Sequence, residues 1–366
     1  MNRQMFLNFT FAAIATLALS AGVGANDARA EMSKAEKIYA ALAKLPADAR
    51  AKRIEQGAKA EGKVVILGTG GSRGRKLSKM FKKQFPYLKA EISRMGSQQK
   101  VERFIAEERA GRHLTDALSV AVPVLGLPAQ LDLLARYETP LAAKIGPSFK
   151  GLRDPQNRWT PWYQSEHGMG YNTKMIKAAD APKKWMDLCN PKYRGKVSFE
   201  PGETRFLLGL HAAFGMAKTE KFLKCLGQNK PILQRGHSNR FFLMMEGDHA
   251  ILGDDLLWRG ARGLKRAPDK TPYKAVWTAE VFADAIAGVI SRNAPHPYAA
   301  ALFVDWLLSD KVQKYIVKSG RAGVTIPHPF IPAHAKVITF GFADRATVDK
   351  LHAMWGKYVG RKKKKK

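Results

Sequence analysis

Cysteine, acidic residues and long apolar runs are the scarce features of this chain. Cys189 and Cys225 are the two cysteines in 366 residues. Neither belongs to a CxxC pair or sits beside a histidine cluster, which excludes zinc-finger and thioredoxin-like sites. In an oxidising compartment the two could pair, closing a loop worth about 3–4 kcal/mol by chain entropy. Two separately buried thiols fit the same spacing, because spacing does not fix geometry. After the N-terminal region no stretch reaches the ~20 apolar residues that a membrane-spanning helix needs. HExxH, GK[ST] and EF-hand spacings are missing, and the nine histidines are scattered. Adjacent carboxylates such as Asp254-Asp255 cannot flank a substrate as acid and base must. With no catalytic constellation and no cofactor motif, the expectation is a protein that is not an enzyme and carries no cofactor. Acidic residues number 31 against 62 Lys plus Arg, a formal charge of +31. Such a chain favours anionic surroundings: nucleic acid, an anionic membrane face or an acidic solute. Apolar content of 45% with ordinary Gly and Pro counts excludes disordered and collagen-like classes.

The N-terminus narrows these options. Arg3 precedes an apolar stretch, Met5 to Leu19, broken only by Asn8, Thr10 and Thr16, and small residues lead to Ala28-Arg29-Ala30. Positive end, apolar core and small-residue cleavage site, in that order, describe an export signal over residues 1–30. No cysteine near the cleavage point offers a lipid anchor, so a soluble periplasmic protein is expected. Export also argues against a specific nucleic-acid partner.

From Lys63 the pattern is α/β. Lys63–Leu67 is apolar without alternation, as a strand covered on both faces would be. The Gly-rich turn Gly68–Gly74 follows, then a helix over Lys76–Phe85 stopped by Pro86. A strand at Leu88–Ile92, a helix at Gln98–Ala110 and a strand at Asp116–Val120 continue the alternation expected of a parallel sheet. A second set begins near Lys196, with helices at Phe206–Ala217 and Glu220–Leu226 and a strand at Ala250–Leu252. Tyr163–Tyr171 and Asp284–Ile290 read as extended segments suited to crossing between the two sets. The Gly-rich turn departs from nucleotide-binding fingerprints, with Arg73 where a third glycine belongs. It could instead capture an anion: N–H groups of Gly70, Gly71 and Ser72 at a helix start, the Ser72 hydroxyl, and Arg73 as a bidentate partner. An ordinary βα turn with Arg73 in solvent is the plainer alternative.

The order of motifs resembles a known family. Leu42-x-x-Leu45-Pro46 through Ala58-Lys59-Ala60-Glu61-Gly62-Lys63 is similar to the opening of many periplasmic solute-binding proteins of extracellular family 1, which includes ferric-iron-type receptors. Phe85-Pro86-Tyr87, Glu108–His113, Gly170–Lys174, Ala181–Leu188, Pro191–Lys196 and Ala294–Ala300 follow in the expected order.

The resemblance implies a type II periplasmic-binding fold: two α/β lobes, each a mixed, mainly parallel sheet flanked by helices, with the ligand in the cleft between them. The corresponding division is a signal at 1–30, a helical extension at 31–60, and a first lobe at 61–164 plus 286–335. The second lobe takes 165–285 plus 336–360, and a lysine tail 361–366. A monomer is expected, delivering a small-molecule ligand to an inner-membrane ABC permease and its ATPase. Cleft contacts by position are Thr69, Gly70, Gly71, Ser72, Arg73, Ser97, His167, Thr204, Arg205, Ser238, Asn239, Arg240, Asp254, Asp255 and Trp258. Ser97 and Ser238 could equally be helix caps. The tyrosine pair typical of ferric receptors is missing after Ala250–Leu252, where Gly253-Asp254-Asp255 stands. An anionic solute is therefore the first expectation. A ferric or other cation receptor using Asp254 and Asp255 is the alternative, no metal site being assigned. A polyanion-binding basic protein using Lys362–Lys366 is the reading from another class.

Overall fold

The computed structural model describes residues 31–360 apart from 147, 148, 150, 151 and 327–329. The expected export signal and the lysine tail lie outside the described residues. Helix α1 (Lys34–Ala43) starts at Ser33, whose hydroxyl accepts the Glu36 N–H at 3.2 Å while the Glu36 carboxylate accepts the Ser33 N–H at 3.0 Å. That reciprocal cap satisfies two otherwise orphaned donors. Pro46 separates it from α2 (Ala47–Glu61). Both helices put apolar residues (Tyr39, Leu42, Ile54, Ala58) into the first hydrophobic core, so they are part of that core rather than an extension outside it.

The strands are β1 (Lys63–Thr69), β2 (Lys89–Met95), β3 (Ala117–Ala121), β4 (Trp159–Asn172), β5 (Val197–Phe199), β6 (Ile232–Leu233), β7 (Ile251–Leu256), β8 (Tyr273–Val276), β9 (Val281–Ile290), β10 (Ala322–Gly323) and β11 (Val337–Thr339). The main path through the sheet runs β2-β1-β3-β9-β4-β7-β5-β6. At one end β2, β1 and β3 are parallel; at the other β7, β5 and β6 are parallel. Between them β9 and β4 run antiparallel to each other and to their outer neighbours. Two parallel α/β layers are thus joined through one long antiparallel pair, and each has its own core. The first gathers residues of α1 through Tyr163 with Ala285 to Val324. The second gathers Met169 to Phe282 with residues near the C-terminus. Every residue of β4 is buried, which explains its weak alternation in sequence. Its register against its neighbours breaks twice, between Pro161 and Tyr163 and between Gly168 and Gly170.

The remaining helices are α3 (Gly71–Gln84), α4 (Ser97–Arg109), α5 (Gly126–Gln130), α6 (Thr204–Gln228), α7 (His237–Met245), α8 (Trp258–Arg266), α9 (Pro297–Leu307), α10 (Asp310–Lys318) and α11 (Arg345–Tyr358). The two helices expected around 206–226 are both present within the span labelled α6 and meet at a kink at Gly215, whose φ is 73°. Cys189 and Cys225 form a disulfide within the second core's periphery.

Candidate functional site

The carboxyl ends of β1 and β3, the start of α4, the middle of β4 and the start of α6 converge on a cavity of about 480 Å³. The Gly-rich segment after β1 is the start of α3 rather than a free loop. Gly71 has φ +68°, and a Cβ on Gly74 would come within 1.6 Å of the Thr69 carbonyl oxygen. Only glycines let the helix begin this close to the strand. This presents Arg73 to the cavity, where its Nη2 donates to the Tyr163 hydroxyl at 3.2 Å and its guanidinium lies 5.0 Å from the Tyr163 ring centre.

Arg321, immediately before β10, meets the same tyrosine from another direction. It is 4% exposed, donates from Nη1 to Ser165 Oγ at 3.1 Å, and lies 5.4 Å from the Tyr163 ring and 4.5 Å from the Trp258 ring. Burial and the neighbouring Arg73 depress Arg321 to about 9. Lys100 of α4 also lines the cavity, 2% exposed, with its ammonium donating to the Ser119 carbonyl. Burial, reinforced by Arg73, pushes it down to about 7. The Nε atoms of Arg73 and Arg321 are buried and make no hydrogen bond within the protein. Arg73 lowers both of its neighbours, the buried Glu166 partly offsets it at Arg321, and the donors left over suit the site to an acceptor.

The second lobe contributes Thr204 and Arg205 to this cavity, but its charges are largely spoken for. Glu203 accepts from Arg205 Nε at 3.0 Å and lies 3.0 Å from His237 Nε2. Burial alone would raise Glu203; Arg205 and His237 outweigh it and hold the carboxyl well below its usual range. His237 is pushed down to about 4 by burial. Its Nδ1 lies 2.9 Å from Arg240 Nη2, so the neutral ring accepts from arginine on one side and donates to Glu203 on the other.

Of the positions expected to touch ligand, Thr69, Gly70, Arg73, Ser97, Thr204 and Arg205 line this cavity. Gly71, Ser72, Ser238 and Trp258 line an adjoining one of about 840 Å³, which shares Gly70, Arg73 and Arg321 with the first. His167, Asn239, Arg240, Asp254 and Asp255 line neither. Arg240 and Asp254 are a buried pair, 2.6 Å apart, with Arg240 also donating to the Ser198 carbonyl and Asp254 accepting the Glu200 N–H. Asp255 accepts from the Tyr273 hydroxyl at 2.6 Å. His167 is fully buried beside Asp284, and burial with Arg205 holds it well below its ordinary value. Asn239 faces solvent. Neither serine caps its helix: Ser97 Oγ accepts the Ala121 N–H at 3.1 Å, and Ser238 Oγ accepts from Arg259 at 3.0 and 3.2 Å. Tyr163, Lys100 and Arg321 were not among the expected contacts. The available signal for Arg321 is a lone arginine within Ser319-Gly320-Arg321-Ala322-Gly323.

Among the described residues, no three His, Cys, Asp or Glu side chains are grouped so as to hold a metal ion. The two α/β lobes around a cavity lined by binding rather than reacting groups define a two-lobed periplasmic-type binding protein. More particularly, the chain belongs to the bacterial extracellular solute-binding proteins, whose family model matches residues 118–337. This is a substrate-binding, non-catalytic class of bacterial ABC import systems. Iron uptake protein A2 of Synechocystis sp. is 24% identical over 212 residues, which span 51% of this chain and 60% of that protein's length. Among solved structures, iron-bound HitA from Pseudomonas aeruginosa superposes with TM-score 0.64 at 18% identity, covering 81% of this chain and 99% of that one. AfuA from Actinobacillus pleuropneumoniae, with fructose-6-phosphate bound, gives 0.62 at 19%, covering 81% and 98%. At these identities the superpositions establish the fold.

Proposed function

We propose that this chain is a soluble periplasmic receptor that captures a small anionic solute between its lobes and delivers it to an inner-membrane ABC permease and its ATPase. The supporting observation is the cation cluster of Arg73, Lys100 and Arg321, with two buried guanidinium Nε donors unpartnered at the cavity. An anion there would accept from both arginines and relieve the repulsion that depresses Lys100 and Arg321. The chain acts as a monomer, without catalysis or cofactor. Its first lobe comprises 61–164 and 286–335 with α1 and α2 added, and its second 165–285 and 336–360. Residues 1–30 are removed on export without lipid attachment.

Iron uptake protein A2 and iron-bound HitA make a ferric cargo the second reading. A hard trivalent cation needs several anionic oxygens. Asp254 and Asp255 are committed to Arg240 and Tyr273, and Glu203 to Arg205 and His237, which favours the anion. AfuA, with its bound sugar phosphate, is the relative whose cargo chemistry agrees with these residues. The test is thermal unfolding of ligand-stripped protein against ferric citrate, phosphate, sugar phosphates, carboxylates, polyamines and heparin. A solute that binds only the folded state raises the midpoint, by about 2.7 kcal/mol of stabilisation at a hundredfold excess over Kd. A saturable hit from a small anion, lost in Arg73→Ala, supports the proposal. A hit from ferric ion alone, or from heparin alone with strong salt dependence, sinks it.

A further inference from the structure

The adjoining 840 Å³ cavity has a chemistry of its own. It opens between the first turns of α3, the whole of α8 and the end of α10. Eight of its lining side chains are Arg or Lys and none is a carboxylate. Trp258 forms the wall, stacked between Arg321 at 4.5 Å and Arg259 at 4.7 Å. Arg259 is anchored by Ser238 through Nε and Nη2, which leaves Nη1 buried without a partner, and Trp258 Nε1 is likewise buried and unpartnered. Arg321, buried to 4% exposure, faces both cavities and keeps its own Nε unpartnered between them. A single anion seated on Arg73 and Arg321 would leave the Arg259 Nη1 and Trp258 Nε1 donors orphaned, although Asp255 acts on Arg259 as a counter-charge. Buried donors of this kind are rare in proteins unless a ligand meets them. Each cavity also falls in the range of a metabolite-sized site, roughly 300–1,000 Å³.

We infer that the two cavities are two chambers of one site, and that the cargo is a solute with an anionic group at each end. One group is held by Arg73, Lys100 and Arg321, the other by Arg259, Trp258 and the cations of α8. The inference rests on the anionic reading above and narrows it to doubly headed anions such as bisphosphates.

Isothermal titration of the full chain at 150 mM salt with fructose 6-phosphate, fructose 1,6-bisphosphate and pyrophosphate separates the two. The bisphosphate is expected to bind at least thirtyfold tighter than the monophosphate. In an Arg262→Ala/Lys265→Ala variant, whose folding is verified by its urea midpoint, that ratio falls below about five. A Lys350→Ala/Lys357→Ala variant removes the same charge from exposed positions on α11 and keeps the ratio. Should the variant on α8 and the control on α11 lower the ratio alike, overall charge is responsible and the inference is overturned. Equal affinity of mono- and bisphosphate in the native chain also overturns it, while leaving the single-anion receptor intact. If none of the three ligands binds, the anionic reading itself has failed.

Discussion

Both lobes bring arginines to the interior, yet they use them in opposite ways. In the second lobe Arg240 meets Asp254 at 2.6 Å and Arg205 meets Glu203 at 3.0 Å, so each charge is answered inside the protein. In the first, Arg73 and Lys100 have neutral oxygens and an aromatic ring as close partners. Arg321, set among Ser165, Tyr163 and Trp258, is opposed by the buried Glu166, whose own carboxyl is pushed up to about 8 by burial. A paired buried charge is part of the fold; an unanswered one is a cost that persists because a ligand offsets it. The contrast separates scaffold from site more sharply than position along the chain does.

The contrast is broken most forcefully on the scaffold side. Asp254→Ala strands Arg240 in the interior and should cost about 3–5 kcal/mol, read as a lower urea midpoint. Anion affinity of the protein that remains folded should barely change. Reducing the Cys189–Cys225 disulfide, which closes a loop with a sequence separation of 36, should cost about 3–4 kcal/mol with the same indifference of binding. Unchanged unfolding after reduction would remove the disulfide from the scaffold. On the site side, Arg73→Ala should weaken anion binding roughly tenfold to a hundredfold through lost charge-assisted bonds, with stability held or improved. Loss of stability without loss of affinity would place Arg73 in the scaffold instead.

Lys100 sharpens the comparison through pH. Its folded value of about 7 lies below its ordinary 10.5, so between these limits the unfolded chain holds more protons and stability should rise with pH. Below pH 7 both states hold the proton and the destabilisation is fully present. Anion binding runs the other way, because the anion prefers the charged amine: affinity should fall severalfold from pH 6 to pH 8. Calorimetry in two buffers of different ionisation enthalpy should detect proton uptake on binding near pH 7.5, and its absence would remove Lys100 from the site. The smallest effect expected is Ser97→Ala, about 1 kcal/mol from the lost acceptor for the Ala121 N–H.

The alternation from β1 to β3 was legible because β1 and β3 are short apolar runs and Pro86 ends the helix before β2. The sheet that unites the lobes was legible only as the two extended segments Tyr163–Tyr171 and Asp284–Ile290, which fall within β4 and β9. The full extent and burial of β4 were not, since it carries Gln164, Ser165, Glu166 and His167 among its buried residues. Its polar stretch hides a central strand from any rule that equates burial with hydrophobicity. At the site, Arg73 stands out beside its glycines, whereas Lys100, Tyr163 and Arg321 come together only once the chain is folded. Arg240 and Asp254 look like ligand contacts singly, and their mutual neutralisation across fourteen positions has no signature in sequence.

The two breaks in the β4 register carry a mechanical consequence. A strand bends where its pairing slips, so β4 has a compliant point on each side of Ser165-Glu166-His167 and a stiffer splint between them. Flexing of the beam that joins the lobes concentrates at these two notches, and the splint carries the hydroxyl that clamps Arg321. The crossing thereby behaves as a double-jointed spring with the site's central cation fastened to its rigid middle.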